Sequence, residues 1–328
     1  MHKKSGTAIR VVVFVALLSL LWVSGSQAQE YPKGPVQIVI PFAPGGSTDI
    51  FWRGISEHMA KSVGGQIALV NKAGGGGILG TSFVVNAKPD GYTLLSANSD
   101  PLNIAPLFTP DAPYDAEKDV TFIAKLAVFP FAITVRADAP FKTLEDLVAY
   151  AKANPKKLKS AVAGVGTTPH MINEMFNRDA KVEITPVPFA GGGECVPALL
   201  GGHVDMTVLS IAPVKAQVLS GKVRVLALFS PTRFRDFPQI PTVAEKGYKT
   251  SNIATGIGIG GPKGLPPAIV KKWEDAAAKT MKEPKVIEIV DKLEGLIIDF
   301  KNGEGYRKEV LTDLATFKPI VPTLTGKK

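Results

Sequence analysis

The segment Ile38-Val39-Ile40-Pro41-Phe42-Ala43-Pro44-Gly45-Gly46-Ser47-Thr48-Asp49 carries an apolar strand through a glycine turn straight into a helix start. Residues of these types at this spacing can bind an anion. Gly45 and Gly46 let the backbone approach a ligand closely, and Ser47, Thr48 or Asp49 can cap the helix. The N–H groups of the first turn have no partner within the helix, and about half a positive charge gathers there. Such a cup can replace a carboxylate's hydration without a cationic side chain, and neither Lys nor Arg stands in the loop. A tight strand-to-helix turn that binds nothing is the plainer alternative. The device recurs at Gly164-Val165-Gly166-Thr167-Thr168-Pro169-His170, where Gly166 gives the turn and Thr167 and Thr168 add hydroxyls. Pro169 suits a first helical turn. If the two cups face one cleft, a small acid is gripped by two helix termini at once. His170 either touches the ligand or holds the loop, and a lone histidine favours the loop role.

Other loops lie near the same edge. Ser96 to Asp100 follows a strand and offers the amide of Asn98, while Pro188 to Gly193 offers Phe189 as an apolar wall and Ala190 beside three glycines. Ordinary turn chemistry explains either loop equally well. The candidate ligand contacts are therefore Phe42, Ala43, Gly45, Gly46, Ser47, Thr48, Asn98, Gly166, Thr167, Thr168, His170, Phe189, Ala190 and Ser210.

Catalytic patterns are thin. Gly75-Gly76-Gly77-Ile78-Leu79-Gly80 satisfies G-x-G-x-x-G, with Asp100 about 20 residues further on as in a dinucleotide site. That fingerprint needs its first glycine directly off the strand, however, and Asn71 to Gly74 intervene. A glycine loop that lets the next helix pack closely fits better. Gly80 is followed by Thr81 rather than lysine, so there is no P-loop, and no G-x-S-x-G supplies a hydrolase nucleophile. His58 and His203 stand alone without metal-ligand spacing, and Cys195 reads as a buried small apolar residue rather than a nucleophile. We expect no enzyme activity, no metal and no cofactor.

These loops must be carried by α/β layers, because strand-like and helix-like segments alternate along the chain. Strand 36–41 and helix 48–63 open the series; Phe51, Ile55 and Met59 give the helix one apolar face. Strands at 66–70 and 92–97 follow, with a helix near 78–87 between them and a proline-containing loop from Pro101 to Asp119. Strands at 122–126 and 131–135 flank Phe129-Pro130, which reads as a crossing between domains. Helix 143–153 opens with Thr143 and Asp146 in a capping-box arrangement. The remainder alternates through strands 158–163, 182–188, 204–209 and 223–229, then returns along Thr255 to Gly261. The expected fold is two α/β domains, each a mostly parallel sheet flanked by helices. Residues 29–129 and 251–328 form the discontinuous first domain and 130–250 the second.

Residues 1–28 read as an export signal. His2, Lys3, Lys4 and Arg10 give a basic start, Val11 to Val23 an apolar run of about 13 residues, too short to span a bilayer, and Ser26-Gln27-Ala28 a small-x-small cleavage site. Cys195 is the only cysteine, so no thiol near the cleavage site can take a lipid and no internal disulfide can form. The product is expected in the periplasm and not as a lipoprotein. Without the signal the chain keeps 35 basic and 29 acidic side chains, a formal +6 against +9 for the whole. The basic residues are scattered and lack interleaved aromatics, which argues against nucleic acid.

In order, Val39 to Asp49, Asn71 to Gly80, Pro89-Asp90-Gly91-Tyr92-Thr93-Leu94-Leu95, Gly166 to His170 and Pro241-Thr242-Val243-Ala244-Glu245 resemble the signatures of the Bug-type (TctC-like) periplasmic solute-binding receptors of tripartite tricarboxylate transporters. The resemblance covers nearly all of the mature chain. It implies a type II periplasmic binding protein, the Venus-flytrap fold, holding a mono- or dicarboxylate between its domains through backbone and hydroxyl groups. It further implies a monomer that delivers its ligand to membrane transporter subunits. Phe51-Trp52, Glu194-Cys195 and the stretch from Ser251 to Gly260 depart from the family's pattern and leave the ligand's identity open. A sensor that signals to a partner shares the same cleft, and an exported α/β hydrolase is the enzyme alternative.

Overall fold

Hydrophobic strands that end in glycine turns dominate the architecture. The computed structural model describes residues 31–250, 253–293 and 295–325. The export signal read at residues 1–28 lies outside the described residues. Every element named below belongs to the unit that begins at Gly34.

The strands are β1 (Val36–Ile40), β2 (Ile67–Asn71), β3 (Thr93–Asn98), β4 (Val120–Arg136), β5 (Lys159–Val162), β6 (Thr185–Pro188), β7 (Met206–Leu209), β8 (Val223–Phe229), β9 (Ala254–Pro262) and β10 (Ile297–Asn302). They pair in the order β2-β1-β3-β9-β4-β7-β5-β6, with β8 and β10 also on β4. The α/β class holds, but parallel pairing is confined to the outer strands, β1 with β2 and β3, and β5 with β6 and β7. Every strand that meets β4 directly does so antiparallel, so each half is mixed rather than mostly parallel.

β4 also corrects the expected break at Phe129-Pro130. One strand of 17 residues runs through both halves. It pairs with β9 up to Pro130 opposite Ala254, and with β7 and β8 from Phe131 onward. Proline has no N–H to give to a ladder, so it sits where the partner strands change. The loop expected from Pro101 to Asp119 is partly helical. Helical turns cover Asp100–Ile104, Ala105–Phe108 and Ala116–Asp119, with Pro101 and Pro106 in first-turn positions where a missing N–H costs nothing.

The helices that matter to the site are α1 (Ser47–Val63), α2 (Ile78–Val85), α3 (Leu144–Ala153), α4 (Thr168–Ala180), α5 (Gly192–Leu200), α6 (Pro267–Thr280), α7 (Pro284–Leu293) and α8 (Gly303–Phe317). α1 buries Phe51, Trp52, Ile55, Met59 and Val63, the face its spacing marks out. The Trp52 indole N–H donates to Ser96 at 2.7 Å, fixing the helix to β3. Gly54 lets Ile289 of α7 close on α1, since a Cβ there would stand 3.0 Å from it. α3 carries the capping box of Thr143 and Asp146. No described helix is long and apolar enough to cross a membrane.

Candidate functional site

The loops after β1, β3, β5, β6 and β7 all leave the carboxyl ends of parallel-paired or neighbouring strands, where open α/β sheets bind ligands. From β1, Pro41 to Gly46 turn the chain into α1. Gly45 takes φ +77°, a left-handed conformation open to glycine, and its N–H donates to Asp49 at 2.9 Å. Asp49 also accepts from Arg53 at 2.9 Å and from Asn71 at 3.0 Å, and the same Asn71 amide reaches the Phe42 carbonyl at 3.0 Å. Burial opposes the ionised form of Asp49, yet these donors outweigh it and hold its carboxyl below the usual range. Asp49 therefore braces the loop from behind. Gly46 occupies the N-cap position with no side chain to cap the first-turn N–H groups of α1.

In the other half, Gly166 at φ +73° donates its N–H to His170 Nδ1 at 3.2 Å, and the Thr167 hydroxyl donates to the Gly164 carbonyl at 2.8 Å. His170 packs edge-on against Phe108 with ring centroids 4.9 Å apart, and burial pushes its imidazole down to about 4. It is thus neutral, accepting through Nδ1 and holding the loop. The Thr168 hydroxyl donates to Asp100, which also accepts from Thr255 of β9 at 2.8 Å.

Contacts between the halves close the crevice. The Ser47 and Ser210 hydroxyls lie 2.5 Å apart, and the Ala43 N–H donates to the Ala190 carbonyl at 3.3 Å. The Asn98 amide donates to Thr48 at 2.8 Å and accepts from Ser96, which orients the Thr48 hydroxyl. Backbone meets backbone at several glycines. A Cβ on Gly193 would fall 1.8 Å from the Pro44 carbonyl oxygen, and one on Gly76 would fall 2.3 Å from that of Val165. The Gly74 to Gly77 segment is thus a place of close approach, and Gly80 admits α2 against Pro41 and Lys72.

Between these contacts lies a cavity of about 30 Å³ lined by Phe42, Gly46, Ser47, Thr48, Asp100, Phe129, Phe131, Ala163, Pro169, Gly192 and Leu209. That space suits about two waters and is too small for an organic ligand as it stands. Of the residues expected to touch ligand, Phe42, Gly46, Ser47 and Thr48 line it. Ala43, Gly45, Asn98, Ala190 and Ser210 surround it in contacts with neighbouring loops. Gly166, Thr167, Thr168 and His170 form the facing loop around Pro169. Phe189 packs instead against the core of the second half with Cys195 and Leu199. Cys195 is fully buried, and burial with the neighbouring Glu194 pushes its thiol up to about 12.

Sequence reasoning missed Asp100, Phe129, Phe131, Ala163, Pro169, Gly192 and Leu209. A signal existed for some of them. Phe129 and Phe131 are two apart and share one face of a strand, and Asp100 stands in a loop already marked as facing the edge.

Residues 51–322 match the family described as Tripartite tricarboxylate transporter family receptor. The protein BugT of Bordetella pertussis is 31% identical over 262 residues, 80% of each chain. Among solved structures, the periplasmic binding protein BugD superposes with a TM-score of 0.84 at 29% identity, covering 90% of this chain and 99% of its own. MatC from Rhodopseudomonas palustris, solved with bound malate, gives 0.83 at 29%, covering 89% and 100%. The periplasmic-binding-protein architecture, the paired glycine loops and the match over most of the sequence agree: the chain belongs to the tripartite tricarboxylate transporter family of receptors, which are binding proteins and not enzymes.

Proposed function

We propose that this chain is a periplasmic receptor that captures a small carboxylate between residues 29–129 with 251–328 and residues 130–250, then delivers it to a tripartite tricarboxylate-type membrane transporter. One observation carries the reading. The uncapped N-terminus of α1 opens onto a cavity whose opposite wall, Ala163, Pro169, Gly192 and Leu209, belongs to the other half. A ligand there touches both halves, so its binding energy favours closure. The first-turn N–H groups and the Ser47 and Thr48 hydroxyls replace the acid's hydration. Gly45, Ala43 and Asn98 keep those donors in place, and His170 holds the facing loop. Malate in MatC supports a carboxylate as the class of ligand. The protein is exported by a cleaved signal and works as a monomer.

A thermal-shift panel of mono-, di- and tricarboxylates tests this. A ligand at 100 times its dissociation constant stabilises the fold by about 2.7 kcal/mol. A panel in which no carboxylate moves the midpoint rejects the receptor reading.

A further inference from the structure

The two helix termini at the cavity are not equivalent. α1 starts at Gly46 with no cap, whereas α4 starts at a residue already engaged: the Thr168 hydroxyl donates to Asp100 and its N–H faces the same carboxyl. Thr255 fixes Asp100 from β9, and the Ser99 hydroxyl just before it accepts the Gly256 N–H at 3.0 Å. Asp100 is 4% exposed, lines the cavity, and among the described residues pairs with no basic side chain. Burial raises its carboxyl above the ordinary range, and the Thr168 and Thr255 donors only partly offset this.

We infer that Asp100 is a resident carboxyl group filling one of the two anion-binding helix termini, so that the site takes a monocarboxylate with an uncharged, apolar body. This rests on the receptor reading above. The ligand's single acid group sits at Gly46 to Thr48. Its body meets Phe42, Phe129, Phe131 and Leu209, which offer apolar surface and no donors. A second ligand carboxylate would arrive where Asp100 already holds the donors, and would face a like group. An ammonium at that end would need several acceptors, and the surrounding walls are mainly aromatic and aliphatic. The ligand class therefore differs from the malate bound by MatC.

Isothermal titration with hexanoate, adipate and 6-aminohexanoate separates these cases, because the three share a chain length and differ only at the far end. Benzoate against terephthalate repeats the comparison for an aromatic body. The expected result is a monocarboxylate at least tenfold tighter than its dicarboxylate or ammonium counterpart. In Asp100→Ser, which frees Thr168, the gap between monocarboxylate and dicarboxylate should shrink at least tenfold. A dicarboxylate that binds the unaltered protein as tightly as its monocarboxylate overturns the inference, as does 6-aminohexanoate binding tightest, which would make Asp100 a cation anchor. An unchanged ratio in a folded Asp100→Ser also overturns it. Should that variant not fold, the comparison on the unaltered protein decides alone. Where the short acids are silent, the best binder of the wider panel decides, two or more carboxylates counting against. Silence of the whole panel rejects the receptor reading itself.

Discussion

His170 is held down at about 4 by its burial against Phe108, while an unfolded chain protonates it near 6.5. Between those values the unfolded state binds a proton that the folded state refuses, so stability falls as the pH drops through that window and is fully present above it. The gap between those two values corresponds to at most about 3–4 kcal/mol. Glu174, raised by its own burial, acts in the opposite direction, so the contrast with a variant isolates the histidine. In His170→Gln, urea denaturation from pH 7 to pH 4 should lose less stability than the unaltered protein; equal loss would remove His170 as the cause. Thr168 offers a second case at this scale. Its side chain was legible as a hydroxyl near a helix start, but its partner Asp100 lies 68 positions away, and no local pattern announces such a pair. Thr168→Val strips a donor from a buried carboxyl and should lower stability by about 1–3 kcal/mol at pH 7. A midpoint of urea unfolding that does not move would show the hydroxyl to be idle.

Glycine turns and caps read well from sequence because their causes are local. Gly45 and Gly166 need positive φ, Thr143 and Asp146 cap each other within one turn, and Phe51, Ile55 and Met59 repeat at helical spacing. β4 did not read well. Pro130 signals a break to any local rule, and only the change of partner strands around it makes one long strand possible. The mostly parallel sheets expected from sequence prove mixed for the same reason, since the antiparallel pairing across β4 is decided by distant segments. The start of α5 yields a sharp prediction. Gly193 lies in the first turn of a helix, where alanine is the better helix former by about 1 kcal/mol, yet its Cβ would strike the Pro44 carbonyl in the closed form. Gly193→Ala should weaken the best carboxylate at least tenfold by titration calorimetry. Gly46→Ala, whose Cβ meets Gly192 at an ordinary 3.4 Å, should lose far less. Similar affinities in the two variants would disprove closure through the Pro44–Gly193 contact.

At the scale of the molecule, Cys195 is a built-in reporter. It is the sole cysteine, fully buried and suppressed as a thiolate, so maleimide at pH 7.5 reaches it only through large openings. When opening is fast relative to labelling, a carboxylate at 100 times its dissociation constant should slow modification about a hundredfold. Labelling at the rate of a free thiol, with or without ligand, would contradict the buried placement. The α/β class and its two-part plan were visible in the alternation of segments, whereas the facing of the two loops depended on pairings such as Ser47 with Ser210 that no window of sequence contains. The changeover at Pro130 has a mechanical result. No ladder bond of β4 spans that point, so swinging one half away would leave both sheets intact and break the hydrogen bonds Ala43–Ala190, Ser47–Ser210, Thr168–Asp100, Arg178–Thr323 and Lys215–Lys292. Five such bonds at about 1 kcal/mol each amount to roughly 5 kcal/mol, a difference that the binding energy of a ligand touching both halves can reinforce. A guest lodged between the two walls would add its own contacts to these bonds and latch the crevice.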